Sequence, residues 1–121
     1  MSDHQPLAAR AILVVEDDFY LAEDLSDALQ RAGATVLGPF ASVADALALL
    51  GGTRPDLAVL DVHLGGDTSF AIGRALHSQG VPMVFATGYD AAIIPEDLAG
   101  AAHMPKPIRM AELVKALQAL G

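Results

Sequence analysis

The chain contains no cysteine, so it has no disulfide framework, no thiolate metal site and no thiol nucleophile. Basic residues are scarce: 7 lysines and arginines stand against 15 aspartates and glutamates, for a formal net charge of −8. Sequence-independent binding to DNA or RNA needs a basic face, and an anionic membrane surface attracts one, so both partner classes are disfavoured. Long hydrophobic runs are also missing. The opening segment carries Asp3 and no basic residue before Arg10, and the apolar run that follows is Ala11–Val15, closed by Glu16, Asp17 and Asp18. That is neither a signal peptide nor a membrane span. There is no internal repeat, linker or low-complexity stretch. The histidines His4, His63, His77 and His103 lack the spacing of a metal centre and read as non-catalytic, with His103 expected to be a partly buried structural residue. The absence of cysteine fits a reducing cytoplasm, which is the expected location.

What is present is a chain of 121 residues, 53% hydrophobic, which suits one folded domain. A domain of this size buries about two thirds of the surface its unfolded chain exposes. Strand-like and helix-like segments alternate. Ala11–Val15 reads as a buried strand. Asp18 caps a helix with Leu21, Leu25, Ala28, Leu29 and Ala32 on one face, which Gly33 ends. Thr35–Leu37 is a short strand closed by Gly38-Pro39. Ser42 caps a helix with Val43, Leu47 and Leu50 inward, and Gly51–Pro55 is a loop. Asp56–Val62 is a further buried strand, Leu64–Thr68 a flexible turn, Phe70–Ser78 a helix stopped by Gly80, and Val81–Thr87 a fourth strand. Ala101–Met104 is a weak fifth strand. Arg109–Leu120 is the last helix, with Met110, Leu113, Val114, Leu117 and Leu120 on its stripe. Between them Gly88–Gly100 has a poor helical signal, broken by Pro95, with only Glu96–Ala99 turn-like. It is expected to be the most mobile segment.

Alternating βα units imply a parallel sheet covered on both faces, with right-handed crossovers. Ligands bind such sheets at the carboxyl ends of the strands. Glu16, Asp17, Asp61 and Thr87 all fall there. Clustered carboxylates repel one another and are costly to desolvate, so a cation, a reaction or both are expected to use them. Two or three carboxylates suit a hard divalent cation such as Mg²⁺, which welcomes phosphate oxygens. Thr87 adds a hydroxyl. Lys106, in Pro105-Lys106-Pro107, adds a positive charge on a restrained backbone. Acids, hydroxyl and lysine together are a set suited to phosphoryl transfer.

The ordered set Glu16-Asp17, Asp61, Thr87 and Lys106, each following a successive strand, closely resembles the receiver domain of two-component response regulators, over about residues 10 to 120. The resemblance implies a flavodoxin-like, doubly wound α/β fold: a five-stranded parallel sheet of order 2-1-3-4-5 with about five helices, the fourth short or mobile. Residues 1–9 would be an N-terminal tail and 10–121 the receiver. It implies that Asp61 is the phosphoacceptor and that Mg²⁺ (or Mn²⁺) is held by Glu16, Asp17, Asp61 and the backbone carbonyl of His63. Thr87 would bind the phosphoryl oxygens, and Lys106 would pair with Asp61 and then with the phosphate. The donor would be a histidine kinase or a histidine phosphotransfer protein of a phosphorelay. With the chain ending at Gly121, a stand-alone regulator acting through protein contacts is expected, with an unidentified downstream partner and no nucleic acid or membrane.

Phe85-Ala86-Thr87-Gly88-Tyr89, with Leu64-Gly65-Gly66, looks like the narrower FATGUY branch of these receivers. Gly65 stands where a proline usually follows the phosphoacceptor, so a looser loop is expected. His103 occupies the place of the usual switch aromatic, and Tyr89 supplies an aromatic after Thr87 instead, making Tyr89 and His103 the switch candidates. Two other readings compete. A pseudo-receiver would bind partners without phosphorylation, against the intact Asp61, Thr87 and Lys106. A haloacid-dehalogenase-type phosphatase would need a second acid two residues after its nucleophile, where this chain has His63.

Overall fold

The apolar runs become strands because each is short, rich in valine, leucine and isoleucine, and bounded by charge, glycine or proline. In the computed structural model, which describes residues 5–88 and 93–121, β1 spans Ala11–Val15, β2 Thr35–Phe40 and β3 Leu57–Asp61. A two-residue antiparallel pair follows, β4 (His63–Leu64) with β5 (Asp67–Thr68), and then β6 (Met83–Thr87) and β7 (Ala102–Pro105). The sheet is parallel throughout, in the order β2-β1-β3-β6-β7. With the small hairpin set aside, this is the expected order. Helices α1 (Phe19–Arg31), α2 (Val43–Leu50), α3 (Phe70–Ser78) and α4 (Met110–Leu120) flank it, and a 3-10 turn at Glu96–Leu98 stands where a short helix is expected. The architecture is flavodoxin-like and doubly wound.

Alternation along the strands builds two core layers. Leu13 and Val15 of β1 face Ala46, Leu50, Ile72, Leu76 and Phe85. Ile12 and Val14 face Leu25, Leu29, Leu113 and Leu117 on the other side. β3 and β6 are buried along their whole length, which is why their sequences are continuous apolar runs rather than alternating ones. Each fully buried leucine or valine contributes about 1.5–3 kcal/mol. No helix among the described residues is long and apolar enough to cross a membrane.

The structure departs from the sequence expectations at several points. β2 runs through Gly38-Pro39 to Phe40. The register advances from Leu13–Leu37 to Val15–Phe40, so the glycine and proline form a bulge rather than an end. An edge strand tolerates the proline because one side of its ladder is unpaired. On α2 the inward residues are Val43, Ala46 and Leu50, while Leu47 is exposed, because Ala46 falls nearer the centre of the buried face. Leu120 is likewise exposed, as the last residue of α4. The stretch read as a flexible turn after β3 holds the β4–β5 pair. Leu7, within the segment read as a tail, is fully buried, and its amide donates to the Ala32 carbonyl at 2.9 Å. In the Gly88–Gly100 stretch, Leu98 is buried in the core and Asp97 pairs with Arg74 at 2.8 Å, so this part is anchored.

Candidate functional site

Strand lengths decide where the acids fall. β1 ends at Val15, so Glu16 and Asp17 are the next two residues, and by the alternation of an extended chain they take opposite environments. Glu16 is buried and Asp17 exposed. Asp61 is the last residue of β3, which lies beside β1, and Thr87 is the last residue of β6, on the other side of β3. Both are buried. The Lys106 amide donates to the Thr87 carbonyl at 2.7 Å, extending the β6–β7 pairing by one rung and setting the lysine at the same sheet edge. The five residues expected at the site are therefore brought to one edge.

Glu16, Asp17 and Asp61 each present a carboxylate oxygen, all within 4.8 Å of one another. All three donors are hard oxygen ligands, the set that suits a small divalent cation. Each acid also has a fixed donor of its own. The Asp18 amide donates to Glu16 Oε2 at 3.0 Å, and the Gly65 amide donates to Asp17 Oδ2 at 2.8 Å. Lys106 Nζ donates to Asp61 Oδ2 at 3.0 Å and, at 3.5 Å, to Glu16 Oε1. The Thr87 hydroxyl donates to the Met104 carbonyl at 3.4 Å. Asp18 itself is the N-cap of α1, its Oδ1 accepting from the Tyr20 and Leu21 amides at 2.9 and 3.2 Å.

The charges respond to this crowding. Burial pushes the Glu16 carboxyl up to about 7, and the neighbouring Asp61 pushes the same way, against the pull of the Asp18 amide and of Lys106. Burial works to lower the Lys106 ammonium, but the hydrogen bond and charge of Asp61, joined by Glu16, hold it above its ordinary value. Lys106 thus stays charged and offsets part of the charge of the acidic cluster, in which burial makes Glu16 resist ionisation.

Two of the remaining candidates lie among the described residues. His63 opens β4 two residues after Asp61, with an exposed side chain. His103 lies on β7 and is exposed rather than partly buried. Tyr89 lies outside the described residues. The sequence reading missed two features. One is the Gly65 amide, a main-chain donor with no letter of its own. The other is the pair Phe19 and Tyr20, 69% and 77% exposed at the start of α1, stacked edge to face beside the acids. Two large aromatics directly after an acidic strand end, off the apolar stripe of their helix, would have been the signal.

The profile of the response regulator receiver domain matches residues 12–118. The chain belongs to this family. The solution structure of SdrG from Sphingomonas melonis is similar to the receiver at 36% identity and a TM-score of 0.79, covering 99% of this chain and 98% of that one. A receiver protein from Sinorhizobium medicae is 25% identical with a TM-score of 0.79, over 93% of this chain and 94% of its own. The sensory transduction protein LytT of Bacillus cereus is 37% identical over 82 residues, 65% of this chain and 33% of LytT. The response regulator MprA of Mycobacterium ulcerans is 34% identical over 116 residues, 90% of this chain and 49% of MprA. The receiver thus spans between a third and a half of the length of these curated relatives. Response regulator receivers are signalling domains of two-component systems rather than classical enzymes.

Proposed function

We propose that the receiver accepts a phosphoryl group on Asp61 from a phosphohistidine of a histidine kinase or a histidine phosphotransfer protein, and so switches its affinity for a downstream protein. The observation that carries this reading is the Asp61 carboxylate at the end of β3, hydrogen-bonded to Lys106 at 3.0 Å and grouped with Glu16 and Asp17. An Asp61 oxygen attacks phosphorus, the bond from phosphorus to the donor imidazole nitrogen breaks, and an acyl phosphate forms on Asp61. Glu16, Asp17 and Asp61, with the His63 carbonyl, would hold Mg²⁺, which when bound neutralises charge on the transferring group.

Lys106 already sits against the acceptor and follows the charge to the phosphoryl oxygens. Thr87, held to Met104 by a long 3.4 Å bond, is readily released to donate to the same oxygens. Its movement and the added charge bias the loops around it, with Tyr89 and His103 the candidates to carry the change to a partner. Phe19 and Tyr20 offer exposed apolar surface at the start of α1, directly after the acids that end β1, which suits a protein donor rather than a small one.

The test is intact mass after incubation with acetyl phosphate, with and without Mg²⁺. The expected result is one added phosphoryl group in wild type with Mg²⁺ only. Failure to take up phosphate from acetyl phosphate and from a panel of phosphorylated histidine kinases would overturn the reading.

A further inference from the structure

We propose that the main-chain amide of Gly65 is a positioning group for Asp17, fixing the carboxylate that receives the divalent cation. This rests on the cation reading above and adds a residue to it. The Gly65 amide donates to Asp17 Oδ2 at 2.8 Å, a contact between residues 48 apart in sequence. Hydrogen bonds to a carboxylate are short and about twice as strong as neutral ones.

The hairpin is built to present this donor. Leu64, immediately before, is 5% exposed and packed in the core layer with Val15, Leu60 and Phe85. The pairs His63–Thr68 and Leu64–Asp67 close the hairpin, and the Ser69 amide donates to the Val62 carbonyl at 2.9 Å across its base. Between a buried anchor and a paired strand, Gly65 turns at φ +62°, with nothing within 4 Å of the place a Cβ would take. The glycine is there for the backbone conformation and not for lack of room, and asparagine is the side chain that best tolerates it.

The arrangement also answers a need specific to Asp17. Glu16 and Asp61 are buried and held by the Asp18 amide and by Lys106. Asp17 is exposed, so without the hairpin its side chain would sample several rotamers in water. An amide that fixes one of its oxygens lowers the entropy lost when a cation binds, as partners of metal-ligating carboxylates do elsewhere. Cation binding and hairpin closure are thereby coupled, and the hairpin begins two residues past the acceptor.

The test uses the whole chain and Mg²⁺ alone, with affinity read by calorimetry and by amide chemical shifts, and with exchange of the Gly65 amide followed separately. In wild type that amide is expected to be protected, and in Asp17→Ala to exchange like an exposed amide. Gly65→Pro removes the donor and is expected to weaken Mg²⁺ binding about tenfold, while Gly65→Asn, which keeps it, restores the affinity. Wild-type protein that binds Mg²⁺ together with a folded Gly65→Pro variant of equal affinity overturns this proposal alone. A freely exchanging Gly65 amide with Asp17 intact does the same, and decides the matter if the proline variant does not fold. Wild-type protein that binds no Mg²⁺ overturns the cation reading, and this proposal with it.

Discussion

The ends of the central strands and the loops that face them hold one cluster by different means. Glu16, Asp61 and Thr87 are 2%, 7% and 2% exposed, and sheet pairing sets their positions. Asp17 and Lys106 are exposed, and their side chains are held by hydrogen bonds, Asp17 accepting from the Gly65 amide and Lys106 donating to Asp61 and Glu16. The strand-end groups carry the fixed geometry and its energetic cost, since buried carboxylates are poorly solvated. The loop groups carry little of the fold's stability and are free to exchange partners. A switch needs both kinds.

The largest effect should come from removing the acceptor at a strand end. Asp61→Ala is expected to abolish phosphoryl uptake in the intact-mass assay, while the fold persists by circular dichroism. Residual uptake at wild-type level would place the acceptor elsewhere.

Next comes the cost of burial at Glu16. Its carboxyl titrates near 4.5 in the unfolded chain and about 7 in the folded one. Between those values the folded state binds more protons, so metal-free stability falls as pH rises through that window and levels off above it. The rise in pKa corresponds to about 3 kcal/mol at most. Urea midpoints at pH 5 and pH 8 should show this loss in wild type and little of it in Glu16→Gln, and Mg²⁺ should oppose it at the higher pH. A flat wild-type profile would mean that the strand end carries no such cost.

A smaller effect belongs to the junction between the two regions. Asp18 caps α1 with its carboxylate and serves Glu16 with its amide. Asp18→Ala keeps the amide and should cost about 1 kcal/mol in thermal unfolding, with Mg²⁺ affinity preserved. A large loss of affinity would show that the cap and the acid are not separable.

The smallest effect is expected at the loop tie farthest from the strand ends. Arg74→Ala breaks an exposed ion pair to Asp97 and should leave the melting temperature unchanged, because solvent screens the pair and buried Leu98 still anchors the 3-10 turn. A measurable shift would give the loops a larger share of stability than this comparison allows.

What was legible in the sequence follows the same division. β1, β3 and β6 are continuous apolar runs, and such runs are buried whatever their neighbours are, so the acids after them could be placed at one sheet edge. Where two apolar residues competed for one helical face, as Ala46 and Leu47 do, composition did not separate them. Gly38-Pro39 reads equally as the end of a strand or as a bulge within one, and only pairing with β1 decides. At Gly65 the missing proline suggested a looser loop. The structure instead has a paired hairpin tethered to Asp17, because a main-chain amide does its work without any mark in the sequence. The placement of the acids, Thr87 and Lys106 was readable, while the donors that orient them were not.

Leu7 has a consequence for anyone defining the smallest folding unit. A boundary drawn just before Arg10, the first lysine or arginine of the chain, would discard a side chain that fills the layer formed with Leu29 and Ala32. The vacancy would resemble a large-to-small core substitution, worth about 2–5 kcal/mol. Affinity tags and protein fusions therefore belong before Gln5, and a trimmed receiver that precipitates would point to the choice of boundary rather than to the phosphorylation chemistry.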